Sequence, residues 1–174
     1  MDYSDFKESF LEFLRIIKKE KDKGNKVIIN LSPPSRIIAF AAWLAASLTG
    51  CEAYYVQGKV YGLGGPFHTK GVAGMVKVFH FPITFPDQTE SNIMAYLLDK
   101  KVVTVNLRRL VKSIGLEKLG KVNTIQSGIV KISYSLRGLR EKGYISIEQV
   151  SGRKQRIALT ESGEIIAKAV KILH

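Results

Sequence analysis

Residues 139–163 read LREKGYISIEQVSGRKQRIALTESG, and no other stretch restricts the surrounding fold as much. Before it runs an apolar stripe, Ile129, Ile132, Leu136 and Leu139, spaced i, i+3, i+7, i+10, which is one face of a helix. Gly143 is a natural stop for that helix. Two strand-like runs follow, on either side of Gly152, a residue that permits a tight turn. The hairpin then hands over to Thr-Glu-Ser-Gly and a last helix, residues 161–173. A surface hairpin needs polar residues at its tip. It does not need Arg153, Lys154 and Arg156 within four positions, and this surplus of positive charge is the first functional signal.

Upstream, residues 90–98 have the pattern of a short helix and 102–105 that of a short strand. Asn106 can cap a second helix, 107–114, which Gly115 ends. A polar loop, EKLGKVN, leads to the third helix, which starts between Thr124 and Ser127 and runs to Lys142. Helix, helix, longer helix, basic hairpin, helix is the layout of a winged helix-turn-helix. SYSLRGLREKGYISIEQVSGRKQRIALTESGEIIAKAV resembles that family closely: L-x-x-L-x-x-K-G-Y closes the third helix and L-T-x-S-G opens the fourth. The resemblance covers about residues 88–174. It implies double-stranded DNA as partner, bound by a homodimer, with Arg153, Lys154 and Arg156 on the wing. A helix crossing the major groove needs one apolar face on its own domain and one polar face outward. The apolar stripe supplies the first. Ser127, Lys131, Ser133, Tyr134 and Arg137 are distributed over the second, where they can meet phosphates or bases.

Charge points the same way. The chain carries 27 Lys and Arg against 15 Asp and Glu, a net +12. Residues 87–174 hold 16 of the basic and 8 of the acidic side chains. An excess of this size favours anionic partners, with solubility alone as the plain alternative. Cys51 is the one cysteine, so an intrachain disulfide is excluded and a reducing cytoplasm expected. Three scattered histidines cannot assemble a zinc cluster. The longest apolar run, 37–51, is too short to span a bilayer, so no membrane partner is expected.

Pro82 and Pro86 bracket a linker, and the expected domains are 1–86 and 87–174. In the first, residues 4–21 read as a helix capped by Ser4. KVIINL reads as a strand covered on both faces. Residues 37–48 read as a helix with no solvent face, 52–57 as a strand, 58–74 as a loop or irregular hairpin, and 75–81 as a strand. The order is that of a βαβ unit in an α/β sheet.

VIINLSPPSRIIAFAAWLAASLTGCEAYYV resembles the strand–loop–helix–strand core of the ligand-sensing, Rossmann-like domains of CRISPR-associated regulators, which often precede a winged helix. The resemblance implies a cyclic oligoadenylate or other nucleotide effector, received by Asn30, Ser32, Ser35 and Arg36. Pro33-Pro34 stands where that family has small or Gly residues, which removes two N–H donors; prolines there can equally start the helix. The family's domain opens with a strand and a further βα unit, whereas this chain opens on a helix, which implies a shortened form, a degenerate domain that only dimerises, or one completed by a partner. Two other functions compete: a winged helix that docks proteins, and a cyclic-nucleotide-processing enzyme such as a ring nuclease, using Ser35 or His68. GLGGPFHTKG lacks the Gly-Lys-Ser/Thr ending of a phosphate loop. His68-Thr69-Lys70 has no carboxylate within fifteen residues. No catalytic residue, metal or cofactor is therefore expected.

Overall fold

The computed structural model describes residues 5–32, 35–62, 69–79, 83–152 and 154–173. Packing divides the chain into two compact units, the first ending at Thr84 and the second beginning at Phe85.

The first unit runs α1 (Phe6–Asp22), β1 (Ile28–Asn30), α2 (Arg36–Thr49), β2 (Glu52–Tyr61) and β3 (Thr69–Val78). Asp5 caps α1, its carboxylate accepting from the N–H groups of Lys7 and Glu8 at 2.7 and 3.1 Å; Ser4, the expected cap, lies outside the described residues. The buried stripe of α1, Phe10, Leu14 and Ile17, faces a helix whose buried side is nearly all alanine: Ala41, Ala42, Ala45 and Ala46. Small side chains let the two helices approach closely.

Two expectations need correction. α2 does have a solvent face, since Phe40 is 65% exposed and Ile37 is exposed as well. β1 is not covered on both faces: Ile29 is buried while Ile28 and Asn30 are exposed. Of the two readings of the Gly-rich region, the irregular hairpin holds: β2 continues to Tyr61, past a bulge between Gln57 and Gly58, and pairs antiparallel with β3 from Thr69. β1 and β2 pair in parallel across α2, and β2 and β3 are antiparallel. The described part of this unit is thus one βαβ step extended by a hairpin.

The second unit runs α3 (Gln88–Lys100), β4 (Val102–Val105), α4 (Leu107–Ile114), a 3₁₀ turn (Leu116–Leu119), α5 (Ile125–Glu141), β5 (Ile145–Ser151), β6 (Lys154–Leu159) and α6 (Glu161–Leu173). Its antiparallel sheet has the order β4-β6-β5. The core joins Ile93, Met94 and Leu97 of α3, Leu110 and Val111 of α4, Ile132, Leu136 and Leu139 of α5, and Ile157 of β6. The segment between α4 and α5, expected to be a polar loop, is anchored instead. Leu119 is fully buried, and Asn92 of α3 donates from Nδ2 to the Lys118 carbonyl at 2.6 Å. Gly128 lets α5 lie close against Val111 and Leu116.

Candidate nucleic-acid interface

Thr124 starts α5 with a capping box: its Oγ1 accepts from the Ser127 N–H at 3.2 Å, and Ser127 Oγ accepts from the Thr124 N–H at 3.3 Å. With Ile132, Leu136 and Leu139 turned into the core, the spacing i, i+4, i+7, i+11 aligns Gln126, Val130, Ser133 and Arg137 along the outward side. All four are exposed, as is Tyr134.

Opposite the start of this row stands the N-terminus of α4, where Asn106 Oδ1 accepts from the Arg109 N–H at 2.8 Å and Arg108 is exposed. The third wall is the wing. Gln149 and Gln155 are register partners on β5 and β6. The Gln149 side-chain amide donates to the Gly152 carbonyl, tying the turn at Gly152, whose φ of 51° suits glycine. Together these elements enclose an open cleft of about 660 Å³ lined by Asn106, Leu107, Arg108, Gln126, Ile129, Gln149, Gly152 and Gln155. Leu107 also floors two adjoining depressions that reach Ser133, Tyr134, Arg137 and Arg140. The concavity therefore runs along α5.

Cations ring it. The Arg137 guanidinium lies 5.0 Å from the centre of the Tyr134 ring and 3.9 Å from Glu141. On the wing Arg156 is 3.9 Å from its cross-strand partner Glu148. At such lengths exposed pairs hold their charges weakly, by about 0–1 kcal/mol, so both arginines can exchange a carboxylate for a phosphate. Lys154 is exposed beside the turn.

Of the residues expected to meet DNA, the structure brings Ser133, Tyr134 and Arg137 into the concavity and leaves Lys154 and Arg156 exposed on β6. Arg153 lies outside the described residues. Ser127 and Lys131 are exposed but off the outward row, and the Ser127 hydroxyl also donates to the Thr124 carbonyl at 3.0 Å. Sequence reasoning missed Gln126, Val130, Asn106, Arg108, Gln149 and Gln155. The helical spacing of Gln126 and Val130 from Ser133 was a usable signal; for the wing glutamines, only the strand register places them.

In the first unit, Asn30 Oδ1 accepts from the Ser32 N–H at 3.0 Å, and Ser32 Oγ accepts from the Val56 N–H at 2.7 Å, extending the ladder one step beyond β1. Ser35 caps α2, accepting from Ile38 N–H at 3.4 Å, and Arg36 is exposed. Three of the four expected ligand residues thus have work within the fold. Pro33, Pro34, His68 and His80 lie outside the described residues. Among the described residues no three His, Cys, Asp or Glu side chains gather as a metal site, and no helix is long and apolar enough to cross a membrane.

A three-helix core with a two-stranded wing beside the helix of the outward row defines the class: the C-terminal unit is a winged-helix domain. In agreement, residues 89–171 match a family described as the DUF6293 C-terminal winged helix domain. Residues 1–61 match one described as HFX_2341_N-like, N-terminal. An uncharacterized protein of Archaeoglobus fulgidus is 24% identical over 157 residues, which cover 90% of this chain and 65% of that relative. This chain therefore spans just under two thirds of that protein. None of these descriptions names an effector, a reaction or a CRISPR-associated role.

Proposed function

We propose that this protein is a transcriptional regulator that binds double-stranded DNA as a homodimer through its winged-helix domain, acting by binding rather than by catalysis. The observation that carries the reading is the open concavity along α5, lined by neutral side chains and by Arg108, Arg137 and Arg140, with Lys154 and Arg156 exposed on the adjoining wing strand. A duplex presents its phosphates to such a rim and its base edges to such a floor. Dimerisation follows from the two-fold symmetry of most winged-helix sites on DNA, since one domain alone makes few contacts.

Binding to random-sequence duplex across a salt series tests this. The wild type is expected to show a steep slope of log K against log salt. In an Arg108→Ala/Lys154→Ala double variant the slope is expected to fall by roughly 1.8, about 0.9 for each lost phosphate contact. Indifference to duplex DNA at low salt would overturn the reading and favour a protein-docking winged helix.

The finer part of the proposal is an anionic effector at the first unit, a cyclic oligoadenylate on the resemblance stated above. It rests on Arg36, an exposed cation in the first turn of α2, where no acidic side chain competes. Titration calorimetry with cyclic oligoadenylates is expected to show binding that Arg36→Ala weakens about tenfold, the loss of one charge-assisted contact. No heat at millimolar ligand would remove the effector and leave the DNA reading intact.

A further inference from the structure

The outward row of α5 has a chemical order. Beginning at the N-terminus it reads Gln126, Val130, Ser133, Arg137: amide, aliphatic, hydroxyl, cation. No cation stands on the first two turns of the row. The guanidinium nearest to it on α5, that of Arg137, is drawn to the Tyr134 ring and Glu141 at the far end. Arg108, on α4, lines the same cleft as Gln126, while Lys154 and Arg156 are exposed on the wing strand β6. The amides of Gln149 and Gln155 line the cleft from the wing.

Val130 is the residue that asks for an explanation. It is 48% exposed in the middle of a helix, where a β-branched side chain loses rotamer freedom and gains no packing. Its neighbours on the row are polar. An aliphatic group here is useful only against an apolar partner, and in the major groove the apolar group on a base edge is the thymine C5-methyl. One turn earlier, Gln126 carries the group that pairs bidentately with adenine N6 and N7. Guanine is most often read by a bidentate Arg or Lys, which this part of the row does not offer.

Resting on the DNA-binding reading above, we propose that the N-terminal half of α5 reads A·T pairs in the major groove, Gln126 contacting adenine and Val130 packing on a thymine methyl. The charged rim then supplies affinity and register without base preference. Specificity in each half-site is concentrated at these two side chains.

The test begins with selection from a random duplex pool by the full chain, which is expected to return half-sites with A·T at the positions facing α5. Deoxyuridine is then put in place of each thymidine in the selected site. One thymine is expected to matter, with wild-type affinity falling about fourfold on loss of its methyl, the worth of one buried methyl-sized group. Val130→Ala is expected to bind the two duplexes equally. Gln126→Ala is expected to lose preference for the neighbouring adenine by roughly tenfold. Both substitutions are at exposed helix positions and keep or raise helix propensity, so the variants fold. Selected sites with G·C facing α5, or no thymine whose methyl matters to the wild type, would overturn the inference while salt-dependent binding still upheld the wider reading. Absence of any duplex binding at low salt would overturn both.

Discussion

Gly163→Ala is expected to destabilise the C-terminal domain by about 3 kcal/mol, the upper range for forcing an atom into a packed site. Helix propensity alone argues the opposite, since alanine is favoured over glycine inside a helix by about 1 kcal/mol. Geometry decides the sign. A Cβ on Gly163 would overlap the carbonyl oxygen of Tyr144, a backbone atom that cannot rotate aside. That carbonyl accepts from the Thr160 N–H at 3.0 Å, while Thr160 Oγ1 donates to the Gly143 carbonyl at 2.7 Å and accepts from the Gly163 N–H at 3.1 Å. The L-T-x-S-G motif is thereby explained: threonine clips the start of α6 to the turn after α5, and glycine admits the carbonyl. Relief of the overlap requires opening this clip.

Thermal unfolding followed by far-UV circular dichroism checks the prediction. For a domain of this size, 3 kcal/mol corresponds to a fall in Tm of more than about 10 °C. Trp43, the one tryptophan of the chain, lies in the first unit and donates from Nε1 to the Phe79 carbonyl at 3.1 Å. Its emission at low temperature is expected to be unchanged, which separates local damage from general misfolding. A rise in Tm would mean that alanine fits, and that the close approach to Tyr144 is not what glycine is for.

The winged-helix unit was legible because its signals are local. A stripe of four apolar residues, a Gly stop, a hairpin and a Thr-capped helix each declare themselves within about ten residues, and their order leaves few ways to pack. What failed was whatever depends on a partner distant in sequence. The segment after α4 looks polar, yet Leu119 is buried because α3 holds the Lys118 carbonyl through Asn92. In the first unit, apolar runs indicated complete burial of β1 and α2. An apolar run reports composition, whereas burial depends on what comes to cover it, and the outer sides of Ile28, Ile37 and Phe40 stay open. The candidate interface was legible in part: Ser133, Tyr134 and Arg137 line the concavity, whereas Gln126 and Val130 join them through helical phase, which a choice of charged and hydroxyl side chains does not weigh.

Lys142→Met is expected to cost the same domain about 3 kcal/mol, through a contact that no local pattern shows. Glu90 is only 6% exposed. Its carboxylate accepts from Lys142 Nζ at 2.9 and 2.7 Å and from the Asp87 N–H at 3.0 Å, closing the capping box of α3. Gly138 makes the room, since a Cβ there would lie 2.9 Å from Glu90 Oε1. Removing the lysine leaves a buried carboxylate with one backbone donor, and an ion pair broken on one side typically costs 3–5 kcal/mol. The Lys142 side chain is 36% exposed, so water can reach the vacated position and the low end of that range applies. Glu90→Gln is expected to cost less, because an amide oxygen can still accept from Asp87 and no charge is stranded. The double variant is the decisive measurement. With both charges gone, the loss in urea unfolding should be smaller than the sum of the two single losses by at least about 1 kcal/mol. Additivity would show that the two residues act separately and that the pair is incidental. Coupling would identify the pair as a clamp between the start of α3 and the end of α5. Since α5 carries the outward row, the clamp fixes the helix on which the proposed DNA contacts stand.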